Sequence, residues 1–286
     1  MNQPTSKLSI EIAGTNLSKT SQFGQFRLSR QCGKIGHYQR YIMMEIGPGM
    51  FPNELHLIDL TLTEGSKIWL DPQSWGKVLP SPSINNTAQT NGAPAQLVTT
   101  IDVDSTSQLV LHNAPLIVFD GSHLQSHSTI NAQLGSKVII SDVLAKRVLN
   151  DADIHPCNLS LDTYIYFDGV LEMVDSIKVG ENPILSNDET WTALTDANSC
   201  IGTMFILGAW VRRNEMNSEV QRLKSNSIPI TISVAQTTMN LMTVRAKSSD
   251  AQNITDCFTE IATSLVKHES LSDYVDHIQV ANQQSS

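Results

Sequence analysis

The stretch Leu55–Leu62, with the sequence LHLIDLTL, alternates apolar and polar side chains and stops at the turn-forming residues Glu64–Ser66. This period of two predicts a β-strand, because successive side chains of a strand point to opposite faces. Further strands are predicted over Leu8–Ile12, Phe23–Leu28, Tyr41–Ile46, Lys67–Leu70, Gln96–Val103, Gln108–Leu111, Leu116–Phe119, Thr129–Leu134, Lys137–Ser141, Leu161–Phe167 and Val170–Val179. Such short strands predict a mainly β fold with stacked or sandwiched sheets, resembling a β-solenoid, rather than a βαβ fold.

Helices are predicted only in the C-terminal third. Residues Asn253–Val266 place four apolar side chains at three- and four-residue spacing, which is the pattern of one helical face. Ser199–Arg212 is a second candidate helix, although it contains two glycines. Between the two segments, Ile230–Val234 and Leu241–Arg245 return to strand character. A few helices are therefore expected to follow the β-rich part.

The domain organisation follows from the similar strand pattern on both sides of residues 80–94. That segment contains three prolines and little apolar content, which is typical of an exposed loop. We predict a single β-rich domain over residues 1–280 with an exposed loop at about 80–94. A polar tail is expected at 281–286.

Charge and composition exclude several function classes. The 286 residues are 40% apolar and only 16% charged, with a net charge of −9. The 19 basic residues are scattered, so the sequence lacks the Lys/Arg face that binds nucleic acid or an anionic membrane. No signal peptide or membrane segment is recognisable, and the four cysteines are far apart. We expect a cytoplasmic protein with free thiols that binds neither nucleic acid nor membranes.

Enzyme motifs are missing from the sequence, which lacks the GxSxG, GxxxxGK[ST], HExxH and GxGxxG patterns. His123 and His127 are four residues apart and would share one face of a helix, where they could hold a metal. Their surroundings are polar and strand-like, however, and four residues of a strand span about 13 Å at a rise of about 3.3 Å each. Two surface histidines are therefore favoured over a metal site.

The segment Asp151–Cys157 contains two carboxylates, an imidazole and a thiol within seven residues. These groups could form a transient site for a borderline metal such as nickel or zinc. The alternative is an exposed turn before Pro156, where Asp is common. The spacing alone favours the turn.

The middle of the chain resembles the UreD (UreH) family of urease accessory proteins. Leu70–Pro82, with the sequence LDPQSWGKVLPSP, is similar to the family pattern L-T-x-Q-x-x-T-K-V-Y-x-x-P. Ala114–Phe119 resembles P-x-P-x-I-x-F, and Gly135–Leu144 resembles gA-x-l-x-x-x-D-x-L. Met242–Ala246 is similar to the x-x-V-R strand that precedes the closing helix. The similarity is strongest over residues 40–180.

The resemblance implies a urease maturation chaperone, a non-catalytic scaffold. Members of the family bind urease apoprotein and the accessory proteins UreF and UreG, and help nickel to reach the urease active site. They hold no tightly bound cofactor, and nickel in transit is thought to follow an internal tunnel lined by polar side chains. A homodimer within the accessory complex is compatible with the resemblance.

Two glycine–acid motifs of the family indicate which residues would handle the metal. The pattern G-G-x-x-x-G-D falls on residues 48–54, where Asn53 replaces a glycine and Glu54 the aspartate. Asn tolerates the left-handed backbone and Glu keeps the charge, so the turn is expected to persist. The pattern G-R-x-A-x-G-E falls on residues 146–153, with Arg147 retained and Asp153 at the acidic position. By this resemblance Glu54 and Asp153 line a nickel path, and Asp142 and Arg147 are structural groups beside it.

Two other functions remain open at the level of sequence. Because both motifs are altered, the chain could be a protein-interaction scaffold of the same fold that has lost metal handling. A carboxylate-dependent hydrolase using Asp151 and Asp153 is the less favoured alternative, since no partner carboxylate is fixed at the separation that such catalysis needs.

Overall fold

The computed structural model describes residues 3–80, 93–147, 157–180, 191–192, 194–195, 198–208, 210, 213–225 and 229–283. In chain order its strands are β1 (Ser6–Ala13), β2 (Asn16–Phe23), β3 (Phe26–Leu28), β4 (Lys34–Ile35), β5 (Tyr38–Glu45), β6 (Leu55–Thr63), β7 (Lys67–Pro72), β8 (Gly76–Val78), β9 (Ala95–Val103), β10 (Gln108–His112), β11 (Leu116–Phe119), β12 (His123–Ala132), β13 (Lys137–Arg147), β14 (Asn158–Phe167), β15 (Val170–Val179), β16 (Cys200–Leu207), β17 (Thr231–Gln236) and β18 (Leu241–Ser248). Two longer helices are α1 (Arg213–Ser225) and α2 (Ala251–Gln283).

The strands form two sheets that pack face to face. The open sheet has the order β15-β14-β12-β9-β6-β1-β2. The covered sheet has the order β17-β18-β16-β13-β10-β7-β5-β3, with β4, β8 and β11 at its margins. From β5 to β14 the chain passes repeatedly from one sheet to the other, and β6, β9, β12 and β14 pair in parallel. This is a solenoid-like arrangement, so the predicted mainly β fold is confirmed.

Parallel pairing aligns the inward-facing side chains of successive coils in rows. One row of the open sheet consists of Leu60, Ile101, Ile130 and Ile165. It packs into a core with Leu70, Leu111, Ile140 and Phe205 of the covered sheet. A second apolar cluster near Leu124, Leu159 and Val179 closes the far end of the interior. The two sheets are therefore held together by apolar rows at both ends.

Helices α1 and α2 pack on the outer face of the covered sheet. The predicted helix over Ser199–Arg212 is wrong, because Cys200–Leu207 forms the buried strand β16 between β13 and β18. Burial on both faces explains its nearly continuous apolar sequence. Gly202 allows α2 to approach, since a Cβ atom there would lie 2.4 Å from Cγ2 of Ile254.

Other predictions are confirmed in part. The strand expected over Phe23–Leu28 is divided by a turn at Gly24, whose φ of 70° favours glycine. The predicted helix Asn253–Val266 and the strands Ile230–Val234 and Leu241–Arg245 match α2, β17 and β18. Helix α2 also runs into the expected polar tail and ends at Gln283. Most of the expected loop, residues 81–92, lies outside the described residues.

None of the described helices is both long enough and apolar enough to cross a membrane.

Candidate functional site

A row of polar side chains crosses the apolar interior between the two sheets. On β9, β12 and β14 it lies two residues before Ile101, Ile130 and Ile165, which we call the isoleucine row. The row continues onto β15, and polar residues of the covered sheet lie at the same level. We call these eight residues the polar layer: Thr99, Ser128, Thr163 and Asp175 of the open sheet, and Asn113, Asp142, Thr203 and Arg245 of the covered sheet. The strands' period of two directs these side chains inward.

An internal cavity of about 140 Å³ lies along this layer. Besides seven of the eight layer residues, its lining includes Glu45 and Ser126, and apolar side chains such as Leu116 and Ile177. The polar side chains form one strip of a wall that is otherwise mostly apolar. The volume has room for several water molecules beside that strip, since one water needs about 10–15 Å³ of such volume and two to four polar partners. The interior therefore provides a hydratable strip between two apolar cores.

Asp142 lies deep in the layer on β13. Its Oδ1 accepts a hydrogen bond of 2.8 Å from Nδ2 of Asn113. Burial raises the pKa of Asp142 to about 6, an effect that the Asn113 hydrogen bond and Arg245 oppose and that Asp175 reinforces. A nearby cation would lower this pKa, because opposite charge favours the ionised carboxylate. Asp142 can therefore release its proton near neutral pH when a cation comes close to the carboxylate.

Glu45 lies at the β5 end of the cavity. Burial raises the pKa of Glu45 to about 7, and the charge of Lys77 opposes that effect. Its Oε1 is buried and has no hydrogen-bond partner among the described residues. The carboxylate packs beside Gly76, where a Cβ atom would lie 3.2 Å from Oε2. A second proton-binding carboxylate thus faces the same cavity.

Asp175 and Arg245 form the opposite end, at the seam between β15 and β18. The guanidinium of Arg245 donates hydrogen bonds to Oδ1 of Asp175 and to Oγ1 of Thr203. Along the covered sheet, β5 and β18 are five inter-strand steps of about 4.8 Å apart, so the polar groups extend over about 24 Å. Their span runs from β5 to β18, each of which is the last but one strand at its end of the covered sheet.

Glu54 closes a turn outside this layer. Its Oε2 accepts a hydrogen bond of 2.9 Å from the Phe51 backbone N–H and lies 3.1 Å from Nε2 of His56. The turn persists as expected, because Asn53 adopts the left-handed conformation with φ of 68°. His56 is buried, and burial lowers its pKa while Glu54 opposes that effect. Glu54 is not among the residues that line the cavity.

The other predicted site residues have different outcomes. Asp142, expected to be structural, lines the cavity. Arg147 ends β13, where its backbone pairs with Phe119, and its side chain lies outside the described part. Asp151 and Asp153 also lie outside the described residues, so the nickel-path and hydrolase roles assigned to them stay predictions.

The histidines predicted to be on a strand are indeed on β12, where the His127 ring lies 4.9 Å from that of Tyr164. None of the four cysteines is in a disulfide bond, and three of them, including Cys157, are buried. In the described ranges, no group of three or more His, Cys, Asp or Glu residues could hold a metal ion. The oxygen-rich layer is the arrangement there that could contact a cation.

The sequence contained two signals for this site. Asp142 lies in the segment that resembles the UreD pattern, and Glu45 is the polar exception in an otherwise apolar strand. Thr99, Ser128 and Thr163 gave none, because each resembles any polar residue of an alternating strand until the register between coils is known.

Comparison with known proteins adds the family. A family model described as UreD urease accessory protein matches residues 6–274. No curated protein matches the chain. The family match spans both sheets, the polar layer and most of α2. The chain therefore belongs to the UreD family of urease accessory proteins.

Proposed function

We propose that this urease accessory protein is a non-catalytic maturation chaperone in the cytoplasm. In this proposal it binds urease apoprotein together with UreF and UreG, and nickel crosses the protein through the polar layer. The observation that carries the proposal is the polar layer with the hydratable cavity along it, in which Glu45 lies towards β5, Asp142 on β13 and Asp175 at the seam between β15 and β18.

The chemistry of the layer suits an ion in transit. Apart from the guanidinium of Arg245, its groups are carboxylate, amide and hydroxyl oxygens, whereas imidazole and thiolate are the ligands typical of tight nickel or zinc sites. Carboxylates that bind protons near neutral pH can release them to an arriving cation, and can take them up again when it leaves. Several weak contacts in sequence would pass the metal on, while one tight site would retain it.

The test is co-expression with urease apoprotein and the other accessory proteins, followed by measurement of urease activity and nickel content. Asp142→Asn and Glu45→Gln are expected to lower both several-fold, because they remove charge from the cavity lining with little change in side-chain volume. Asp59→Asn is the matched control, since Asp59 lies partly exposed on the open sheet, paired with Lys7. Full activation in the absence of this chain would contradict the proposal.

The alternative function, a protein-interaction scaffold of the same fold that has lost metal handling, predicts a different result in the same experiment. Asp142→Asn and Glu45→Gln would then leave both partner binding in a pull-down and urease activation unchanged. Glu54 and Asp153 stay candidates for the outer part of the nickel path. A Glu54→Ala/Asp153→Ala double variant tests that role, because loss of nickel with retained partner binding is the expected result.

A further inference from the structure

We propose that Arg245 is a tethered counter-cation of the polar layer, and that an arriving divalent cation displaces its guanidinium from Asp175. The displaced state leaves Asp175 and Asp142 together to hold the ion. This inference rests on the proposed function, because it concerns how the same layer accepts a metal.

The contacts of Arg245 place a positive charge where a metal ion would bind. Its guanidinium contacts Asp175 and Thr203, which line the cavity with Asp142. Asp175 raises the pKa of Asp142 and Arg245 lowers it, so the three groups interact electrostatically. A nearby cation stabilises an ionised carboxylate that has little exposure, because an uncompensated buried charge is strongly destabilising. Arg245 provides that charge when no metal is present.

Exposure favours displacement from the arginine side. The side chain of Arg245 is 38% exposed, whereas that of Asp175 is 14% exposed. The arginine can therefore rotate into solvent while the carboxylate remains at the cavity. A long, flexible stem with a well-solvated head makes such rotation inexpensive.

The seam between the sheets does not depend on this ion pair alone. Nδ2 of Asn240 donates to Oε1 of Glu172 at 3.0 Å, and Oγ1 of Thr243 donates to Sδ of Met173 at 3.8 Å. The first contact joins β15 to the turn that precedes β18, and the second joins β15 to β18 two residues from Asp175 and Arg245. Releasing the guanidinium would thus free a carboxylate without opening the sandwich.

Calorimetric titration of the purified full-length protein with Ni²⁺ tests the inference. Arg245→Gln is expected to lower the Kd by about tenfold, because the competing charge is gone. Arg245→Lys keeps a charge and should remain close to the unsubstituted protein. Adding Asp175→Asn to Arg245→Gln should abolish the gain.

Arg222→Gln is the matched control, since Arg222 pairs with Glu219 and Glu260 on the surface and its loss changes the net charge equally. The inference is overturned if Arg245→Gln leaves the Kd unchanged or raises it, or if Arg222→Gln lowers it to the same extent. Circular dichroism and urea unfolding verify that each variant is folded. If Arg245→Gln does not fold, the single variants Arg245→Lys and Asp175→Asn take its place. Displacement is supported if Arg245→Lys leaves the Kd unchanged and Asp175→Asn raises it. Any other pair of results overturns displacement.

Failure of this inference is distinguishable from failure of the proposed function. If Arg245→Gln tightens Ni²⁺ binding but every layer variant activates urease normally, displacement stands and the nickel path fails. If Asp142→Asn and Glu45→Gln abolish activation while the Kd of Arg245→Gln is unchanged, the nickel path stands and displacement fails.

Discussion

The polar layer and the isoleucine row beside it are built from the same strands and lie only two residues apart. Ile101, Ile130 and Ile165 fill the space between the sheets, whereas Thr99, Ser128 and Thr163 border a cavity. Burying an isoleucine side chain contributes about 1.5–3 kcal/mol, while burying a hydroxyl without a partner costs about 1–3 kcal/mol. Neighbouring rows of one solenoid thus differ in their contribution to stability, because one row is packed and the other borders a cavity.

The largest expected effect comes from emptying the apolar row. Ile130→Ala should lower the free energy of unfolding by about 2–5 kcal/mol, because it leaves a cavity in a closed core. Ser128→Ala on the same strand should change stability by less than about 1 kcal/mol, since its side chain already borders a cavity. Urea denaturation at pH 7 measures both. Equal losses would remove the distinction between the two rows.

Asp142→Asn should stabilise the protein at neutral pH. Burial raises the pKa of Asp142 in the folded state to about 6 from its usual value of 3.8, so the native state binds more protons than the unfolded state between these values. Stability is therefore lost as pH rises through that window, and the loss at pH 7 is on the order of 3 kcal/mol. Compared with the unsubstituted protein, the variant should recover most of this free energy of unfolding at pH 7 and almost none of it at pH 3.5. A gain that does not depend on pH would contradict this explanation.

His112 offers a comparison outside the layer, on the other face of β10. Its Nδ1 lies 2.7 Å from Oγ of Ser141, and burial lowers the pKa of His112 to about 4, while Asp71 opposes that effect. Here the native state binds fewer protons than the unfolded state, so stability is lost as pH falls from 6.5 to about 4. The loss at pH 5 should be about 2 kcal/mol.

Unfolding of a His112→Gln variant between pH 4 and 7 measures this effect. As pH falls, the free energy of unfolding of the unsubstituted protein should decrease relative to that of the variant. This trend is opposite in sign to the one expected for Asp142→Asn. Parallel pH profiles for His112→Gln and the unsubstituted protein would show that His112 does not titrate as inferred.

The sequence predicts the strands of this protein better than it predicts the candidate site. Strands such as Leu55–Leu62 are predictable because the period of two is a local property. Strand β2 was missed because all eight of its residues are exposed and it has no apolar period. The strand β16 was mistaken for a helix because its apolar sequence reflects packing between two neighbours and under α2, which no local pattern contains.

The candidate site is less predictable because it depends on register between distant coils. Thr99, Ser128 and Thr163 become one row only when residues about 30 apart pair in parallel. Asp142 was recognised through its motif, but its position in a cavity follows from how the two sheets face each other. Glu45 was visible as the exception in an apolar strand, although nothing in its sequence linked it to Asp142.

The measurement that tests the central claim most directly is the nickel content of urease matured with a Thr99→Val/Ser128→Ala/Thr163→Val variant. This variant removes the three hydroxyls on the open-sheet side of the polar layer, keeps that of Thr203, and leaves the charges of the layer in place. The control carries Thr61→Val, Thr100→Val and Thr129→Val, which alter hydroxyls on the opposite face of the same sheet. A several-fold loss of nickel is expected with the layer variant only, with partner binding retained and stability equal or higher. Urease with a full nickel content would contradict it.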